Sequence, residues 1–222
     1  MDIGTFNIRG LSGSSDCEWS AKESEVRSGG IITTWKKGII ELVFSFMGKG
    51  YLGMKEMWKG TNIYFINIYS PCTLNEKRVS WMKLLNLRNK YTHGEWVLWG
   101  YFNASKSLEE RWGRSGDIRT LEMEDFCSFI DLMELIDVPM LENKHTLINS
   151  NGSTSSMLDR FLMSEGLIQK WNIAARTSGN RDISDHRPVW ILSTNLNWGP
   201  KPFKVFRTWY DHPEFMAFGK KE

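Results

Sequence analysis

Seven short runs of β-branched and aromatic residues, bounded by Gly, Pro, Asn or Ser, limit the folds open to this chain more than any other feature. They are DIGTFNI (2–8), GGIITTW (29–35), IIELVFSF (39–46), TNIYFINIY (61–69), EWVLWG (95–100), SMLDRFLM (156–163) and PVWILST (188–194). Such side chains suit a pleated, half-buried surface, and the flanking breakers set the strand lengths. Two stretches carry helical periodicity instead. One is NEKRVSWMKLLNLRNKY (75–91); the other is the series Phe126, Phe129, Ile130, Met133 and Ile136. Sheets covered by helices, a layered α/β or α+β fold, are the expectation.

A chain of 222 residues with 41% hydrophobic side chains can bury the core of one large domain. Its net charge of +2 is too small to hold a polyanion by bulk attraction, so any nucleic-acid contact must be local. Cys17, Cys72 and Cys127 are an odd set without a CxxC pair, which argues against a disulfide framework, a zinc site or a disulfide-linked partner. No apolar run is long enough to span a bilayer, and MDIGTFNIRG lacks the basic lead and apolar core of a signal peptide. A nuclear or cytoplasmic location is expected. The eleven tryptophans read mainly as packing residues. Three stretches read as loops: 11–30, 150–156, and 197–222, which holds three of the six prolines.

Polar residues recur where strands end. Asn7 closes the first run, Tyr69 precedes Ser70-Pro71, Asn103 follows Gly100-Tyr101-Phe102, Asp159 lies in LDRF, and Asp185-His186 stand just before the last run. Brought together, such groups would supply amides for a phosphate oxygen, carboxylates for a hard cation, and a histidine for proton transfer or charge stabilisation.

In this order, TFNIRGL, NIYSP, WGYFNAS, SMLDRFLMS and SDHRPV resemble five motifs of the endonuclease/exonuclease/phosphatase family. Within that family, RSGGIITTWKKG and NWGPKPFKVFRTWYDHPEF are most similar to the endonuclease of LINE-type, non-LTR retrotransposons and to the linker that follows it. The resemblance implies a four-layer α/β/β/α sandwich of two mixed sheets. Residues 1–196 would be an incomplete endonuclease-like domain, and 197–222 a tail leading to an absent reverse transcriptase. It also implies DNA as partner and Mg²⁺, or Mn²⁺, as cofactor. In family terms Asn7, Asn103 and Tyr69 contact phosphate, and Asn7 and Asp185 contribute to the metal shell. Asp159 orients His186, which stabilises the pentavalent phosphorus or assists proton transfer.

Two departures bear on activity. Where the family has the acid of a GDFN loop, this chain has Tyr101, and a phenol with an ordinary pKa of about 10 is no general base at neutral pH. A strand–helix segment with its metal-binding Glu is also absent after Leu11; Glu18, Glu23 and Glu25 do not match that motif. Three function classes follow. The favoured one is a retrotransposon-derived endonuclease domain with little or no activity. The second is a non-catalytic nucleic-acid-binding module using Arg111, Arg114 and Arg119, or Arg176, Arg181 and Arg187. The third is an unstable remnant without function. A phosphatase of the same family is the rival enzyme reading.

Overall fold

The computed structural model describes residues 16–24, 30–39, 41–113, 120–141, 144–149, 151–181 and 184–194. The run at 2–8, Asn7, the neighbourhood of Leu11 and the tail 197–222 lie outside the described residues. In chain order the elements are β1 (Cys17–Lys22), β2 (Ile31–Lys36), β3 (Glu41–Gly48), β4 (Tyr51–Trp58), β5 (Thr61–Tyr69), α1 (Leu74–Lys90), β6 (Glu95–Tyr101) and β7 (Arg111–Trp112). Then come α2 (Thr120–Leu132), β8 (Ile136–Asp137), β9 (Leu147–Ile148), β10 (Ser155–Ser156), β11 (Asp159–Met163), α3 (Glu165–Trp171), β12 (Ile173–Ser178) and β13 (Val189–Ser193).

The fold is α+β. Its centre is a mixed six-stranded sheet in the order β3-β4-β5-β6-β11-β8, antiparallel except for the parallel pair β5–β6. Parallel neighbours need a crossover, and α1 provides it. That helix opens on a reciprocal cap: Thr73 Oγ1 accepts from the Glu76 N–H and donates to the Glu76 carboxylate, satisfying a donor that the first turn leaves unpaired. Arg88 and Lys90 in its last turn complement the helix dipole.

One face of the sheet packs Tyr64, Ile66, Trp96 and Leu98 against Trp81 and Leu84 of α1 and Phe126, Phe129 and Ile130 of α2. The other packs Met54, Ile63, Phe65, Val97, Trp99 and Phe161 against Trp35 of β2, Leu167 of α3 and Val189 of β13. Because β5 and β6 are covered on both faces, they read as nearly continuous apolar runs. A buried aromatic removes about 150–250 Å² from water, on the order of 4–6 kcal/mol before conformational entropy is subtracted. Trp96 and Trp99 are both fully enclosed. The second β layer consists of two antiparallel ribbons, β1-β2 and β12-β13. Asn67 of β5 ties the layers together by donating to the Ile32 carbonyl and the Thr33 hydroxyl, both at 3.1 Å.

Three expectations are corrected, and one strand is added to the seven runs. Residues 11–30 are not all loop, because Cys17–Lys22 pairs with β2 along its whole length and takes its order from that ladder rather than from burial. Tyr51–Trp58, outside those seven runs, is an inner strand with two Met, a Lys and a Gly among its eight residues. Gly53 leaves room there for the Phe46 ring, 2.3 Å from where a Cβ would stand. Ile136 does not continue the face of α2: Glu134 adopts a left-handed conformation (φ 54°), ends the helix and leaves Ile136 exposed in β8. Arg176 is no surface cation. It is 1% exposed and donates to Asp137 at 2.8 Å.

Candidate active site

Strand register assembles the site. Tyr69 is the last residue of β5 and pairs with Tyr101, the last of β6, which pairs in turn with Asp159, the first of β11. Side chains in register share a face, so these three form a row across adjacent strands. The Tyr69 and Tyr101 ring centroids are 5.6 Å apart. His186 completes the row: its Nδ1 lies 3.0 Å from Asp159 Oδ2, and its ring stands at 82° to that of Tyr101 with centroids 4.9 Å apart.

Gly100 lets β6 come this close to β5. Its φ is 115°, and a Cβ there would lie 2.4 Å from the Ile68 carbonyl oxygen. Beyond Tyr101 the chain turns through Asn103, which is left-handed (φ 50°) and donates from its amide to the Pro71 carbonyl at 3.1 Å. The Asn103 carbonyl accepts from Lys77, a fully buried ammonium that also pairs with Glu122 at 2.9 Å. Thr146 anchors the opposite wall. Its hydroxyl accepts from the N–H groups of Leu158 and Asp159, both at 3.0 Å. The segment carrying His186 is pinned by an antiparallel bridge between Leu147 and His186 and by donation from the Arg187 N–H to the Thr146 carbonyl.

Burial would push the His186 imidazole down in pKa, but its hydrogen bond to Asp159 and the charges of Asp159 and Asp185 outweigh this, and the net shift is upward. A carboxylate on Nδ1 fixes the ring and leaves Nε2 to transfer a proton or to donate to a developing negative charge. Tyr101 is held neutral. Burial first, then the charge of Asp159, pushes its phenol well above the usual range.

The expected residues therefore divide clearly. Tyr69, Tyr101, Asp159 and His186 meet; Asn103 sits in the adjoining turn with its amide engaged by Pro71; Asp185 is exposed beside Ser184. Lys77, Glu122 and Thr146, which shape the site from behind, are not recognisable from the sequence. No local pattern marks them. Among the described residues, no group of three or more His, Cys, Asp or Glu side chains is placed to hold a metal ion. With Asp159 committed to His186, these donors do not fit Mg²⁺, which demands a near-octahedral set of oxygens.

Residues 63–190, more than half of the chain, match the family described as endonuclease–reverse transcriptase. The chain belongs to that family. The match begins in β5, ends in β13 and so contains every member of the row just described. Among solved structures, the endonuclease domain of TRAS1, a telomere-specific non-LTR retrotransposon, is similar at 10% identity over 82% of each chain, with a TM-score of 0.59. An endonuclease/exonuclease/phosphatase family protein from Leptotrichia buccalis is similar at 13% identity, over 81% of this chain and 72% of that one, with a TM-score of 0.51. A doubly substituted beta toxin from Staphylococcus aureus with bound magnesium ions shows 12% identity over 77% and 71%, with a TM-score of 0.50. Identities this low speak to the fold. No curated protein matches the sequence.

Proposed function

We propose that this chain is a retrotransposon-derived endonuclease domain that keeps the family's DNA-facing framework but has lost most or all of its power to cleave a phosphodiester. The observation that carries this reading is Tyr101, a neutral phenol in register between Tyr69 and Asp159 and packed against His186. A residue that must activate water needs a pKa near the working pH, and loss of a general base typically removes about 10²- to 10⁴-fold of rate. The phenol is shifted in the wrong direction for that task.

The remaining roles are those that the resemblance to the endonuclease/exonuclease/phosphatase family implies. Tyr69 and Asn103 are assigned to phosphate contact, His186 to proton transfer or charge stabilisation at phosphorus, and Asp159 to holding the imidazole. Asp185 and Asn7 are assigned to the metal shell of an active centre. Magnesium or manganese would supply charge neutralisation there, but the described donors do not fit the ion. Residues 1–196 are assigned to the domain and 197–222 to a linker.

Anisotropy with labelled duplex DNA in EDTA, paired with a cleavage assay, tests the proposal. Salt-dependent binding without cleavage is expected. Metal-dependent cleavage, or failure to bind DNA by a protein that melts cooperatively, would contradict it.

A further inference from the structure

Beside the His186 segment lies a second concavity. A cavity of about 230 Å³ is lined by Lys144, His145, Ile148, Gly152, Ser155 and Arg187, and none of these is a carboxylate. Among the described residues no ion pair engages Lys144 or Arg187. The Arg187 Nε is buried without a hydrogen-bond partner. Leaving such a donor unpaired costs free energy; the atom itself is closed to solvent, and what the cavity offers a ligand is the charge of Lys144 and Arg187 in a lining without a carboxylate.

His145 reports the same imbalance. Burial first, then the charges of Arg187 and Lys144, lowers its pKa, so both cations act on one imidazole. Its Nδ1 is 2.8 Å from the hydroxyl of the buried Ser155. The cavity is built on the segments that hold the candidate active site. Leu147 bridges to His186, and the Ile148 N–H donates to the Asp185 carbonyl. His186 faces Asp159 while the next residue, Arg187, lines the cavity, as neighbours in an extended segment should.

We propose that this cavity is an anion subsite that takes a backbone phosphate of a nucleic-acid strand, next to the phosphate presented to His186. It rests on the reading of the chain as a DNA-facing domain. The Lys144 ammonium and the Arg187 guanidinium fork match the oxygens of a phosphodiester. A strand following the groove would place successive phosphates against successive residues of one extended segment.

The test uses the full chain and follows the His145 ring by NMR with a short DNA duplex, with inorganic phosphate and with chloride alone. The expected result is a rise of about one pKa unit on duplex binding, since a close opposite charge favours the imidazolium. Lys144→Ala, at an exposed position, is expected to weaken the duplex and to flatten the slope of log affinity against log salt by about one. If the duplex binds while His145 stays put and Lys144→Ala keeps the full slope, the subsite is overturned and the functional reading stands. If inorganic phosphate moves His145 but no duplex binds, both the strand assignment and the functional reading fall.

Discussion

The rings of Tyr101 and His186 meet almost at right angles, 4.9 Å between centroids, and the imidazole Nδ1 is hydrogen-bonded to Asp159 at 3.0 Å. The histidine thus keeps its orienting carboxylate, while the position that would face it with a second acid holds a neutral phenol. Asp159→Asn should therefore lower the His186 pKa by about 1–3 units, and Tyr101→Phe should barely move it. Histidine NMR titrations of both variants check this. A group whose folded pKa is raised contributes stability that is complete below its ordinary value, 6.5 here, and is lost as pH rises through the folded value. Asp159→Asn leaves burial as the largest influence on the ring and should reverse the sign of that dependence.

Glu56, on the inner strand β4, is 1% exposed with Oε1 unpartnered, and burial raises its pKa from 4.5 to about 8. The folded state holds this proton more tightly than the unfolded state. Stability is then highest below the ordinary carboxyl value and levels off above the folded one. Between the two it falls by about 1.4 kcal/mol for each pH unit. Urea denaturation in mildly acidic and in mildly alkaline buffer should show the decline, and Glu56→Gln should abolish it.

Asp137 binds two buried arginines at once, Arg160 at 2.7 Å and Arg176 at 2.8 Å, and Arg160 also reaches Glu110. Removing one member of a buried ionic cluster strands the others, so Asp137→Asn should cost about 3–5 kcal/mol. The exposed pair Arg78–Asp125 is the contrast. Asp125→Asn should cost no more than about 1 kcal/mol in the same denaturation assay.

Gly100→Ala would set a methyl against the Ile68 carbonyl in a backbone conformation that side chains rarely adopt. A loss of more than about 1–3 kcal/mol is expected, with the separation of Tyr69 from Tyr101 disturbed. Thermal denaturation and the near-ultraviolet dichroism of the tyrosines would register the two effects separately.

Strands buried on both faces are plain in the sequence. IYFINI and WVLW admit little else, and the residues that close their strands, Tyr69 and Tyr101, join Asp159 at the start of β11 in one row. What the sequence conceals depends on distant partners. Lys77 reads as part of a solvated helix face until Glu122, 45 residues on, meets it inside the protein. Arg176 reads as a surface charge until Asp137 buries it. Thr146 has no signature because its role is defined by the two N–H groups it accepts from. Tyr51–Trp58 is hidden because its strand character comes from neighbours on both sides, not from its own residues.

Tyr101 should leave this site unable to activate water. Nicking of supercoiled plasmid by the purified chain in Mg²⁺, Mn²⁺ or EDTA, beside His186→Ala, tests that claim most directly. Wild type and His186→Ala are expected to be equally silent in every condition. Metal-dependent nicking that His186→Ala abolishes would show a working centre and contradict it.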